Sequence, residues 1–436
     1  MPENSKQIAG RVVIPLERSN ELKEKIKNIV DFKEEIEKSS TQDITAFLES
    51  MLVGAINFEA SDLHIEPSKD TAKIRARIDG FLQDAATINY KIYQGGLSRI
   101  KLLSGTKLNI SDRPQDGRFS ISMEGFEIEI RASVLPTEHG EAIVLRILNP
   151  KSLVEIESLG LRKDLLEIFE KEIKKPNGMI IVTGPTGSGK TTTLYAFLKR
   201  ISRPEIKIIT IEDPVEYHIE GLSQTQVNPS KGYDFASGLQ SIVRQDPDVI
   251  LVGEIRDSKT CQIALQAALT GHLVFTTLHT NDAAGTIARL ISLEGNLANI
   301  GPAINLSVAQ RLVRQICPKC TEFKKISPEN LNKIKKELEN IKEKIEIPKV
   351  DESLKIADVK GCKECNLTGY KGRIAAFEVI AIDDEMEKFI LNNPSIAAFR
   401  EEATKKGMVT MQQDGLIKVI EGLTTIDEVN RVMGQI

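Results

Sequence analysis

The sequence predicts an α/β protein in which a parallel-sheet domain built on a phosphate-binding loop follows a smaller α+β domain. Three observations predict it. Residues 184–191, Gly-Pro-Thr-Gly-Ser-Gly-Lys-Thr, fit the pattern G-x-x-x-x-G-K-[ST]. The apolar run Met179–Val182 before them suits a buried strand, and residues 192–198 after them can continue as a helix. From residue 160 onward, apolar strands over 179–183, 206–211, 248–253 and 272–278 alternate with helix-length segments, which is the order of a mostly parallel sheet covered on both faces.

The elements follow in chain order. Residues 17–40 are charged and helix-prone, with Leu22, Ile26, Ile29, Val30 and Phe32 sparsely spaced, and 1–42 reads as a short, largely mobile helical arm. A second domain spans 43–150. It opens on an amphipathic helix over 43–58, in which Ile44, Phe47, Leu48, Met51, Leu52, Ala55 and Ile56 recur at helical spacing. Alternation then takes over at 63–66, 72–78, 127–134 and 142–148, and Asp79-Gly80 signals a hairpin. Asn149-Pro150 reads as a hinge. The parallel-sheet core runs over 151–314, a cysteine-bearing element over 315–376, and small helices over 377–436.

Bulk composition agrees with several packed domains. The chain has 436 residues, is 41% hydrophobic and carries a formal net charge of −4, so global charge does not point to a polyanion such as nucleic acid. No apolar run approaches the ~20 residues that span a bilayer, and the first seven residues hold no apolar signal region. These features predict a cytoplasmic protein.

The loop glycines let backbone N–H groups turn inward around a phosphate, and the following helix adds partial positive charge there. The predicted cradle is Gly184, Pro185, Thr186, Gly187, Ser188, Gly189, Lys190, Thr191 and Thr192. Lys190 is expected to reach the β- and γ-phosphates and Thr191 to hold Mg²⁺ through its hydroxyl. Further segments follow in the order a nucleotide hydrolase needs. Ile208–Ile211 delivers Glu212 at a strand end, and Val249–Val252 delivers Gly253-Glu254, where Glu254 is expected to hold Mg²⁺ or polarise the attacking water. A strand flanked by His272 and His279 has a polar end able to sense the γ-phosphate. Two bland readings stand beside these: Glu212 as a helix cap, and His272 as a satisfied core group.

Four of the five cysteines form two pairs, Cys317-x₂-Cys320 and Cys362-x₂-Cys365, the spacing that grips one tetrahedral Zn²⁺. Gly361 and Gly369-Tyr370-Lys371-Gly372 look like zinc-ribbon turns, and residues 323–347 read as a helical arm projecting between the knuckles. Cys261 stands alone in a predicted helix and reads as core.

Together, the loop, Thr210-Ile-Glu-Asp-Pro-Val-Glu216, Gly253-Glu-Ile-Arg-Asp257 and Gly271-His-Leu-Val-Phe-Thr-Thr-Leu-His-Thr280 resemble the secretion ATPase superfamily. The likeness extends through Ala60–Pro67, Arg77–Gly80, Pro114–Phe119 and Ala309–Arg314. It implies a RecA-like ATPase core preceded by a PAS-like domain, acting as a homo-hexameric ring with ATP, Mg²⁺ and Zn²⁺. It also implies that Arg99, Arg113 and Arg118 of the first domain reach the bound phosphates. The cysteine element resembles the type II secretion and type IV pilus assembly branch, whose motors work on an inner-membrane platform protein at the inner face of the cytoplasmic membrane. Full-length members of that branch carry a larger N-terminal domain, whereas about forty residues precede the first matching block here. Two rivals remain at this level: a RecA-like DNA motor, which the acidic balance disfavours, and a nucleotide-gated scaffold with little turnover.

Overall fold

The computed structural model describes residues 10–41, 43–123, 125–150, 154–294, 296–341 and 345–435. The expectations for the first seven residues, for the domain boundaries at residues 42 and 151, and for 342–344 of the helical arm lie outside them. The chain divides into two compact units, one of 1–152, 317–321 and 359–372, the other of 153–316, 322–358 and 373–436.

In the first unit the order is β1 (Arg11–Val13), α1 (Leu16–Lys25), α2 (Ile29–Ser39), α3 (Ile44–Asn57), β2 (Asp62–Pro67), β3 (Thr71–Ile78), β4 (Phe81–Asn89), α4 (Tyr90–Ser104), β5 (Gln115–Met123), β6 (Phe126–Thr137) and β7 (Gly140–Leu148). Its seven strands lie in the order β1-β5-β6-β7-β2-β3-β4. The Asp79-Gly80 hairpin forms as expected, with both residues left-handed at φ 50° and 79°. The N-terminal arm does not behave as the sparse apolar spacing predicts. Leu22, Ile26, Phe32 and Ile36 are fully buried in the same core as Phe47 and Met51 of α3. The reason is a close helix approach: a Cβ at Gly54 would stand 2.6 Å from the Phe32 ring, so the glycine makes room for it.

The second unit contains α5 (Lys163–Glu172), β8 (Gly178–Thr183), α6 (Lys190–Ile201), β9 (Ile208–Glu212), β10 (Ser223–Gln226), α7 (Phe235–Val243), β11 (Val249–Val252), α8 (Ser258–Leu269), β12 (Leu273–Leu278), α9 (Ala283–Glu294), α10 (Leu297–Ala303) and β13 (Ile304–Ile316). β14 (Thr321–Lys325), α11 (Pro328–Leu338), β15 (Lys355–Val359), β16 (Tyr370–Ala381), α12 (Asp384–Leu391), α13 (Ile396–Lys406), α14 (Met411–Ile420) and α15 (Ile426–Met433) follow. The large sheet runs β10-β9-β11-β12-β8-β13-β16, and the pairs β10/β9, β9/β11, β11/β12, β12/β8 and β8/β13 are all parallel. The central strands β9, β11, β12 and β8 are buried along their whole length, as a doubly covered sheet requires, whereas the edge strand β10 is polar and partly exposed. Met179 and Ile181 feed one core, while Ile180 and Val182 feed the other.

The expected arm over 323–347 takes a different form. Among its described residues only Pro328–Leu338 is helical, and that helix is packed rather than projecting. Leu331, Ile334 and Leu338 bury one stripe in a cluster with Leu416, Ile417 and Val429. A periodic apolar stripe that long must be covered, and α14 covers it.

Candidate functional site

The phosphate loop leaves β8 at Thr183 and enters α6 at Lys190. Gly184, Gly187 and Gly189 have φ of 149°, 79° and 86°, in which a side chain is strained. A Cβ at Gly184 would also stand 2.5 Å from the Gln310 carbonyl oxygen. Gln310 is buried on β13, and its Oε1 accepts from Thr193 Oγ1 at 2.8 Å. It thus holds the first turn of α6 against the sheet. Thr183 Oγ1 and Thr280 Oγ1 lie 2.8 Å apart, tying the loop's start to the segment after β12.

The Lys190 ammonium donates to the carbonyls of Gly184 at 2.8 Å and Pro185 at 3.1 Å. Burial lowers its pKa, and the negative charge of Glu254 opposes that shift. Glu254 follows β11, is mostly buried, pairs with Arg256, and has its Oε2 3.4 Å from His279 Nε2. Ser188 Oγ and Glu254 Oε2 are buried and make no hydrogen bond among the described residues. Buried polar atoms of this kind require a partner, and here they line a loop whose glycines suit a phosphate. Thr191 is half-buried in the first turn of α6 behind Lys190, and Thr192 follows it.

Glu212 is placed differently from Glu254. It is buried beneath α6, where its carboxylate accepts from the Tyr195 hydroxyl, from Thr210 Oγ1 at 2.6 Å and from Gln224 Nε2 at 3.3 Å. Burial pushes its carboxyl above the ordinary range, and those hydrogen bonds only partly oppose the shift. The two histidines are also separated. His279 stands at the carboxyl end of β12 beside Glu254, whereas His272 sits at the amino end, where its Nδ1 is 3.1 Å from the Ala267 carbonyl and its own carbonyl accepts from Gly178 N. A six-residue strand separates them by roughly 20 Å. Of the two histidines expected to sense the γ-phosphate, His279 is the one beside Glu254.

The arginines Arg99, Arg113 and Arg118 belong to the first unit, and the loop belongs to the second. Arg99 is exposed on α4, Arg113 is exposed between α4 and β5, and Arg118 lies on β5 with Nη1 3.9 Å from Glu129.

All four paired cysteines fall in the first unit. Their sulfurs lie within 4.8 Å of one another, at 3.9 Å for Cys317/Cys362, 3.8 Å for Cys320/Cys365 and 3.7 Å for Cys362/Cys365. A tetrahedron of sulfurs at about 2.3 Å from one ion has edges of about 3.8 Å, so the donor set fits a metal of that kind. The N–H groups of Cys362 and Gly369 point at Cys365 Sγ at 3.1 and 3.3 Å, as suits a thiolate. Left-handed Gly361 and Gly369 flank the turn that carries Cys362 and Cys365, while Gly372, also left-handed, lies within β16. Cys261 is buried in α8, and burial pushes its thiol up to about 12.

Sequence reasoning assigned no role to Gln310 or Thr280, although both lie in segments that carry the resemblance, and none to Tyr195 or Thr183. Their chemistry is generic, and only the fold brings them to the loop.

Residues 37–431 match the family described as type II/IV secretion system protein. The chain is 42% identical to the type IV pilus assembly ATPase PilB of Thermus thermophilus over 398 residues, covering 91% of this chain and 43% of that protein. It is 40% identical to the type II secretion system ATPase E of Vibrio cholerae, covering 91% and 76%. A type II secretion system protein E of Xanthomonas campestris is 42% identical, and the chain spans 65% of its length. The chain thus spans about half to two thirds of two of these curated relatives. Among solved structures, the pilus retraction motor PilT with bound ADP superposes with a TM-score of 0.57 at 26% identity, covering 87% of this chain and 95% of that one. The ATPase DotB of Legionella pneumophila shares the fold, with a TM-score of 0.64 at 22% identity, covering 88% and 94%. No helix among the described residues is long and apolar enough to cross a membrane.

Proposed function

Because the chain belongs to the type II/IV secretion system protein family, we propose that it is an Mg²⁺-dependent ATPase that drives assembly of a pilus or a type II secretion pseudopilus. The observation that carries this reading is the Glu254 carboxylate, mostly buried, electrostatically coupled to Lys190, and left with one oxygen unbonded. Lys190 neutralises the β- and γ-phosphates, and the loop N–H groups orient them. Glu254 takes the proton of the attacking water on its unbonded Oε2, while Arg256 pairs with Oε1 and His279 Nε2 stands 3.4 Å from Oε2. Thr191 and Glu254 would hold Mg²⁺, which supplies charge neutralisation on the transferring phosphoryl group. Glu212 is the less suited base, because its oxygens are already committed to Tyr195, Thr210 and Gln224.

Cys317, Cys320, Cys362 and Cys365 hold one Zn²⁺ per chain in a structural role. The working form is a homo-hexamer, located at the cytoplasmic face of the inner membrane through a platform protein. The names of the relatives support both secretion and pilus assembly.

Phosphate release from Mg²⁺-ATP by the purified chain tests the core of this reading. Lys190→Ala is expected to abolish turnover. Glu254→Gln is expected to keep nucleotide binding but turn over ~10²-fold more slowly, as for loss of a general base. Near-normal turnover in Glu254→Gln would overturn the assignment.

A further inference from the structure

The segment that carries His279 continues through Thr280 and Asp282 into α9, and the N-terminus of α9 is held from outside its own sequence. Glu378, buried on β16, accepts from Ala283 N, the first residue of α9, with Oε1 at 2.9 Å. Its other oxygen accepts from Met411 N, the first residue of α14, at 3.3 Å. One carboxylate therefore caps two helices that belong to distant parts of the chain, and each helix places partial positive charge against it. A second tie runs in parallel. Asp282 caps α9 through Gly285 N at 2.7 Å, and its other oxygen takes Arg400 Nη2 of α13 at 2.6 Å. The anchored segment is short, and at its near end Thr280 is bonded to Thr183 at the start of the phosphate loop.

We infer that Glu378 is a positioning residue for the proposed hydrolysis. By bridging α9 and α14 it fixes the segment 279–283, so that His279 meets Glu254. Arg400 and Asp282 supply the second point of the same clamp. The C-terminal helices, which carry no catalytic motif, then act on turnover by holding one end of that segment. A carboxylate with two separate N–H partners cannot be replaced by a side chain with a single acceptor without freeing one helix end.

The inference rests on the proposed ATPase activity, and the test separates the two. Wild type, Glu378→Gln, Arg400→Ala and the double variant are compared for kcat, KM, affinity for a fluorescent ATP analogue, and amide hydrogen exchange. Glu378→Gln is expected to lower kcat about tenfold with KM and analogue affinity within threefold. Exchange should rise over 279–286 and stay unchanged over 178–190. Arg400→Ala should act in the same direction, and the double variant should lose less than the product of the two single effects, because both act on one segment. Unchanged exchange over 279–286 in Glu378→Gln, or kcat within twofold of wild type, overturns the inference. A wild type without turnover overturns the ATPase reading, and the exchange pattern still decides whether the clamp exists. If Glu378→Gln fails to fold, exposed Arg400→Ala decides by the same readouts, with unchanged exchange counting against the clamp.

Discussion

At the scale of single residues, the two strand-end glutamates differ in what surrounds them rather than in sequence context. Glu212 has a carboxyl raised by burial, and its sign as a contribution to stability follows. The folded chain favours the protonated form, so the stability Glu212 contributes is present below the ordinary carboxylate value and is lost as pH rises through the raised one. Glu212→Gln removes that loss, and the hydroxyls of Thr210 and Tyr195 can turn to suit an amide. The nucleotide-free variant is expected to melt above wild type at pH 8, with the gap shrinking toward pH 5. Each kcal/mol corresponds to about 2–4 °C at this domain size. Thermal melts across that range check it, and a gap that stays constant with pH would count against the buried-carboxylate account. Lys190, Glu254 and the cysteine pairs were legible in the sequence because their chemistry is written in short, spaced motifs. Gln310 was not. It meets Thr193 across 117 residues of chain, and a lone glutamine in a strand carries no spacing signal. His272 and His279 look equivalent in sequence, one before a strand and one after it, although a strand places its ends far apart.

Among elements, the strands were the most legible, since apolar runs and alternation each have one structural answer. The helices of the N-terminal arm and α11 were seen as helices but not as covered ones. Periodicity announces an apolar stripe, while the surface that covers it lies elsewhere in the chain. The cysteine knuckles joined two readable halves, and their S···S distances now make a sharper expectation. Protein purified without chelator should carry one Zn²⁺ per chain by elemental analysis. Cys362→Ser should lose it, because metal binding is coupled to local folding. Amide exchange should then rise over 317–321 and 359–372 while the phosphate loop stays protected. Zinc-free wild type, or loosening that spreads to residues 178–190, would contradict a local structural role.

For the whole molecule, the loop and the family-matched arginines fall in different units. We expect Arg99→Ala or Arg113→Ala to lower turnover several-fold more than ATP affinity. Turnover per chain should rise with protein concentration as rings assemble. Flat specific activity across a dilution that sedimentation shows to dissociate the rings would refute a ring-completed site. The order of domains along the chain was readable, but their membership was not, because the backbone leaves the second unit and re-enters the first at residues 317–321 and again at 359–372. That interleaving governs how the protein can be dissected. A fragment ending near residue 150 would omit both cysteine hairpins of its own unit, and one starting there would carry two hairpins whose surroundings had been cut away. Excision therefore has to follow the contact boundaries, with the hairpins grafted rather than trimmed. A protease nick near residue 150 would leave one piece that holds every segment of the second unit and one that lacks both cysteine segments of the first.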